Sequence, residues 1–255
     1  MRSSGFLPRI CAPCAAAAIL LLAGCAVTPS ADLGISAWAE QSGQHAREMP
    51  QAWQHKTFPG KTASRFRYAR LDGRDTISAH AEGSVSMLRQ SVRIEPADLA
   101  WVRFSWKVPG LIPLADMATR DKDDAPVRVV LAFEGDRSRL SARDSALSEL
   151  ARALTGDEMP YATLMYVWCN QREPGSVIVN SRTDRVRKLV VESGPRRLNQ
   201  WLEYERDISA DFERAFGEKP GALVGIAIMT DSDNTRASTQ AWYGLVRFVP
   251  EDARR

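Results

Sequence analysis

The 255-residue sequence predicts an all-β domain, a sandwich or a barrel, and three observations predict it. From Trp53 onward, roughly ten short apolar runs of strand length succeed one another. Turn residues separate these runs, and helical periodicity surfaces at only two places.

In order, the first runs are Ser64 to Arg70, Thr76 to Ala81, Ser84 to Val92 and Trp101 to Val108. Leu71-Asp72-Gly73, Glu82-Gly83 and Val108-Pro109-Gly110 break them, through residues that accept positive φ or fix φ. Alternation is clearest from Trp101 to Lys107, although it leaves open which side is buried. Val127 to Phe133, Tyr161 to Trp168, Ser176 to Val179, Val186 to Glu192 and Trp201 to Asp207 follow. Glu173-Pro174-Gly175 and Ser193-Gly194-Pro195 punctuate them. The chain closes on Ala222 to Met229 and Ala241 to Phe248, which read as a hairpin around an acidic loop.

Two helices interrupt the strands. Leu140, Leu147, Leu150, Ala151 and Leu154 fall on one face of a helix from about Ser141 to Ala153. Ser141 caps its start with Asp144 three residues on, and Gly156 stands where it stops. The second runs from Ala210 to Phe216, capped by Ser209 and ended by Gly217. Both are expected to pack over the ends of the sandwich.

The N-terminus carries an address. Arg2 and Arg9 precede an apolar stretch, Ile10 to Ala23, that is too short for a spanning helix and reads as a secretory signal. Leu22-Ala23-Gly24-Cys25 resembles the lipobox of bacterial lipoproteins, which implies cleavage before Cys25 and lipidation of its thiol. Ala26 after that cysteine, where an Asp is absent, goes with export to the outer membrane. The expected organisation is a signal peptide (1–24), a tether (25–51) with one helical turn near Ala37 to Gln41, a β domain (52–250) and a short tail (251–255).

Cleavage takes Arg2 and Arg9 from the 34 basic residues, leaving 32 against 31 acidic ones. That balance, with no Lys/Arg stripe, gives no support to a nucleic-acid partner. Of the four cysteines only Cys169 would remain as a free thiol, so no disulfide or zinc pattern is expected. It reads as an inert buried thiol.

Candidate chemistry gathers at two acidic stretches. Asp231-Ser232-Asp233-Asn234-Thr235 places carboxylates at i and i+2 beside a neutral oxygen. Three readings stay open for it: Asx-turns, a Ca²⁺ site, or catalytic carboxylates. An EF-hand is excluded, because Trp242 stands where the twelfth-position Glu would be. Asp123 and Asp124, with Arg128, open the Val127 strand, and four carboxylates would converge if the fold brings both stretches together. A Ser-His-Asp set built from His55 or His80 with Ser84 or Ser86 lacks a Gly-x-Ser-x-Gly elbow. Most of the aromatic residues are expected in the core, whereas an exposed pair such as Trp242 with Trp168 would stack on sugars.

Trp53 with Phe58-Pro59-Gly60-Lys61, Trp106-Lys107-Val108, Asp123-Asp124-Ala125-Pro126 with Arg128, and Asn180 before Thr183 form a set of landmarks. Arg206-Asp207, Asp211-Phe212, Phe216-Gly217, Met229 to Thr235 and Tyr243-Gly244 complete it. Together, over about Trp53 to Phe248, they resemble the bacterial domain of unknown function 3047 family. Leu245 stands where that family often carries an Asp, which weakens a role for an acid on the last strand. The resemblance implies a single jelly-roll sandwich similar to carbohydrate-binding modules, with no activity attached.

The combined expectation is a lipid-anchored, periplasm-facing binding domain for a glycan or envelope protein. Its ligand site would use Asp123, Asp124, Arg128, Asp231, Asp233, Asn234, Trp242 and Tyr243, with Asp231 and Asp233 able to take Ca²⁺. The alternative is an envelope glycan hydrolase using the same carboxylates.

Overall fold

A computed structural model of the chain describes residues 53–249. The signal segment, Cys25, the tether and the C-terminal tail lie outside the described residues. No helix among the described residues is long and apolar enough to cross a membrane.

Among the described residues, twelve strands form two sheets: β1 (Gln54–Thr57), β2 (Arg65–Leu71), β3 (Arg74–Glu82), β4 (Val85–Ile94), β5 (Trp101–Lys107), β6 (Ala125–Phe133), β7 (Ala162–Cys169), β8 (Val177–Val179), β9 (Val186–Ser193), β10 (Trp201–Asp207), β11 (Leu223–Asp231) and β12 (Ser238–Val249). The seven-stranded sheet has the order β1-β4-β11-β6-β7-β9-β8, and the five-stranded sheet β10-β5-β12-β3-β2. Only β7 with β9 is parallel. The fold is a β-sandwich with two inserted helices. β1, short and polar, is the one strand that the apolar pattern did not mark.

The closing pair is not a hairpin. β11 pairs with β4 and β6, whereas β12 pairs with β3 and β5 in the other sheet. The β3–β4 connection makes the same crossing, and the two arches are stitched together. Gly83 N–H donates to the Ala237 carbonyl at 2.9 Å, and Ser232 N–H to the Ser84 carbonyl at 3.0 Å. Gly83 has φ of 53°, which suits glycine at that tight crossing.

Alternation explains the layers. Val102, Phe104 and Trp106 of β5 point between the sheets, as do Val127, Val129, Leu131 and Phe133 of β6. Phe104 is the hub, with ring centroids 5.1 Å from Trp106 and 5.2 Å from both Tyr166 and Tyr204. The outer side of β6 and β7 is covered at one end. Met117, Ala125, Val167, Cys169, Ile178 and Val190 form a second, smaller core there, and Cys169 is buried in it as expected. A strand covered on both faces reads as a continuous apolar run, as β6 does.

Helix α1 (Ala142–Thr155) has the expected caps: Ser141 accepts from Asp144 N–H, and Gly156 takes φ of 80°. Its packing is not as expected. Leu150 and Leu154 are 54% and 62% exposed, so its leucine stripe lies over the seven-stranded sheet without being buried against it. Helix α2 (Ile208–Phe216) starts two residues earlier than the Ser209 cap predicts, because Asp207 accepts from Ala210 N–H instead. It closes one end of the core, with Phe212 4.7 Å from Phe133.

Candidate functional site

Residue 231 ends β11 and Ala125 begins β6, and the register sets them opposite each other. This brings the two acidic stretches together. Arg128, buried on the outer side of β6, donates from Nε to Asp231 Oδ1 at 3.1 Å and from a terminal nitrogen to Asp231 Oδ2 at 2.9 Å. The same guanidinium reaches the Asp123 carboxylate at 3.2 Å and its carbonyl at 2.9 Å. Asp123 also accepts from Asn180 Nδ2 at 3.1 Å and Lys188 Nζ at 2.5 Å. Lys188, wholly buried, completes its coordination on the Met117 carbonyl.

Two cations and two carboxylates thus share a largely buried site and balance in charge. Burial raises Asp231 to about 6, against the pull of Arg128. Burial, then the neighbouring Arg128, lowers Lys188 to about 8. Burial opposes ionisation of Asp123 as well, yet Arg128 and Lys188 together hold it below the usual carboxylate range. A raised carboxyl could serve as a general acid, but Asp231 is 3% exposed and bonded on both oxygens.

Asp124 clamps the arch. It accepts from Asn234 N–H (3.1 Å), Asn234 Nδ2 (2.9 Å), Thr235 N–H (2.7 Å) and Thr235 Oγ1 (2.6 Å). Asp233 pairs with Lys61. Carboxylate oxygens of Asp124, Asp231 and Asp233 lie within 4.8 Å of one another, the separation a cation could bridge. The donor chemistry does not fit Ca²⁺. Six to eight free oxygens are needed, whereas the Asp124 and Asp231 lone pairs serve protein donors and Arg128 stands beside them.

Beneath this cluster Tyr243 crosses the core. Its hydroxyl donates to the Met229 carbonyl at 2.5 Å and accepts from Arg128 N–H at 3.2 Å, tying β12 to the opposite sheet. Burial holds its phenol well above the usual range. Tyr243 is fully buried, so its ring offers no surface to a ligand. Trp242, the next residue, points the other way, onto the outer face of the five-stranded sheet. The carboxylates and Trp242 therefore do not form one site.

That outer face carries two partly exposed tryptophans. Registers align Trp201, Lys107, Trp242, Ser78 and Arg67 in one row across all five strands. Trp201 and Trp242, both half-buried, flank Lys107 in the register, their backbone positions two inter-strand spacings (about 10 Å) apart. The β2–β3 turn reaches the same face: Asp72 accepts from Lys107 Nζ at 2.7 Å and Trp201 Nε1 at 3.0 Å. The Lys107 hydrogen bond is the main reason the Asp72 carboxyl stays low. Gly244 makes room, since a Cβ there would sit 2.3 Å from Ser105 Oγ and 3.3 Å from the Trp201 ring. Trp168, the partner expected for Trp242, is in the core at 1% exposure, its Nε1 donating to the Gly194 carbonyl. Trp201 takes its place, and period-2 counting on β10 could have found it: Leu202 faces the core, so Trp201 faces out.

His55 Nε2 meets Ser86 Oγ at 2.8 Å, one of the His–Ser combinations that the sequence offers. Ser86 is fully buried and its hydroxyl is bonded to the Ser64 backbone, which removes it as a nucleophile. His80 faces Arg65 and Ser238 on the outer surface.

Comparison with curated proteins finds no match. Among solved structures, the chain is similar to the family 11 carbohydrate-binding module of the cellulosomal cellulase Lic26A-Cel5E of Clostridium thermocellum. That match has a TM-score of 0.41 at 8% identity, covering 85% of this chain and 95% of the other. The xyloglucanase domain of NopAA from Sinorhizobium fredii, in complex with cellobiose, matches at TM-score 0.40 and 10% identity, over 78% and 93% of the two chains. The model of the family described as protein of unknown function (DUF3047) matches residues 51–247, and the chain belongs to that family.

Proposed function

We propose that the domain binds an extended glycan, without turnover, on the outer face of its five-stranded sheet. One observation carries this reading: Trp201 and Trp242 stand in a single lateral row with Lys107 between them. Two indole rings on one sheet face suit stacking on sugars of one chain, with Lys107, Ser78 and Gln240 meeting hydroxyls beside them. Arg74 rests over the Trp201 ring at 5.3 Å and pairs with Glu203. Half exposed, it can swing aside when a sugar ring takes its place.

The carboxylates of the opposite sheet hold the arch in this reading, and no catalytic role is assigned to them. The address is part of the proposal: lipid on Cys25 would hold the domain at the envelope, facing the periplasm, on the outer membrane. Globomycin, which blocks lipoprotein signal cleavage, should shift the precursor in cells, and an unshifted band would refute the anchor. Affinity electrophoresis against envelope polysaccharides tests the binding. Trp201→Ala and Trp242→Ala should each weaken retention at least about tenfold while near-UV circular dichroism stays native. Retention unchanged in both variants would refute the site.

A further inference from the structure

We propose that the groove between helix α1 and the outer face of the seven-stranded sheet binds a long acyl chain carrying an anionic head group. The groove measures about 840 Å³, within the range of small-molecule sites. Its floor is hollowed by small residues, with Ala132 on β6 and Gly225 and Ala227 on β11 facing the helix. Its wall is the α1 leucine stripe, Leu147, Leu150 and Leu154. Packed protein leaves few voids larger than a water molecule, so a helix laid over a sheet should drive its leucines into such a floor. Here Leu150 and Leu154 remain mostly exposed. The helix is held off its own apolar complement, and water in an apolar groove lacks polar partners.

Local bonds explain the stand-off. Asp144 of α1 is fastened to Thr183, Ser148 to Arg137 and Arg152 to Glu158, so the helix is fixed by its polar side and not by its leucines. Four of the chain's seven methionines, Met87, Met159, Met165 and Met229, line the same groove. Unbranched thioethers adapt to a flexible hydrocarbon chain better than β-branched side chains do.

Charge at the mouth selects the head group. Lys56 and Arg89 share one acid, Asp157, at 3.2 and 3.9 Å, which leaves an excess positive charge. The neighbouring Glu158 is already matched by Arg137 and Arg152. A carboxylate or phosphate at the end of the chain complements that excess. The site faces away from the Trp201–Trp242 row, so it stands or falls independently of glycan binding.

The test is titration of the full chain with dansyl-undecanoic acid, followed by displacement with palmitate. Saturable one-to-one fluorescence enhancement, reversed by palmitate, is expected. Leu150→Asp should weaken the probe at least about tenfold. Because residue 150 is exposed, this variant keeps its fold, checked by circular dichroism. Lys56→Gln with Arg89→Gln should weaken palmitate about tenfold and leave hexadecanol unchanged, separating head from chain. Absence of saturable binding, or binding untouched by Leu150→Asp in a folded protein, would overturn the proposal. Equal effects of the double variant on palmitate and hexadecanol would overturn the anionic head. Self-association abolished by Leu150→Asp, without probe binding, would assign the groove to a second copy and also overturn it.

Discussion

Replacing Arg128 by methionine keeps most of its aliphatic volume and deletes only the guanidinium. In the folded protein that guanidinium donates to both Asp231 oxygens and to Asp123. Asp231, at 3% exposure, would then keep only the Ala125 N–H. Breaking one partner from a buried pair costs about 3–5 kcal/mol. At about 2–4 °C per kcal/mol for a domain of this size, Tm should fall by about 10 °C. The loss carries a pH signature. Burial raises folded Asp231 from 3.8 to about 6 even with Arg128 present, and removing the cation raises it further. Between the unfolded and folded values, the folded state holds a proton that the unfolded chain has released, so the Asp231 contribution to stability rises as pH falls. The deficit of Arg128→Met should therefore be largest at pH 8 and shrink toward pH 5. Thermal unfolding of wild type and variant by circular dichroism across that range measures it. A deficit below about 1 kcal/mol, or one that grows on acidification, would refute the assignment of Asp231 as a buried, Arg-dependent carboxylate.

Asp124→Ala removes the acceptor of four hydrogen bonds from Asn234 and Thr235, and should cost about 2–3 kcal/mol and speed amide exchange at both residues. Unchanged exchange there would mean that the arch is held by other contacts. Gly221→Ala should destabilise by about 1–3 kcal/mol, because its Cβ would stand 2.3 Å from the Glu134 carbonyl oxygen, a backbone atom that cannot swing away. Wild-type Tm retained in that variant would refute the close approach. Millimolar Ca²⁺ should leave Tm within about 1 °C, since the Asp124 and Asp231 oxygens already serve protein donors. A saturable rise would show that the cation displaces those donors.

Much of this molecule was legible in the chain because the relevant signals are local. Strand positions from β2 to β12 follow from apolar runs bounded by residues such as Asp72-Gly73 and Gly83, whose φ values of 53°, 74° and 53° are the positive values a tight turn demands. The Ser141 and Gly156 caps of α1 were likewise set by residues within one turn of the helix ends. Strand order was not legible. Arg128 and Asp231 are 103 residues apart, and only the placement of β6 beside β11 makes them partners. The same order splits β11 and β12 between two sheets, which a turn-based reading of adjacent strands takes for a hairpin.

The chain by itself determined that the domain is all-β, roughly where eleven strands and both helices lie, and that its acids fall in two stretches. Tertiary structure alone decided that those acids are paired with Arg128, Lys188, Lys61 and the arch backbone. It also decided that Trp201 joins Trp242 on an outer face while Trp168 is buried, and that the α1 leucines overhang an open groove. The physical reason is one of range. Periodicity and capping are settled by neighbours within a few residues, whereas pairing of charges and exposure of faces depend on which distant strands lie side by side.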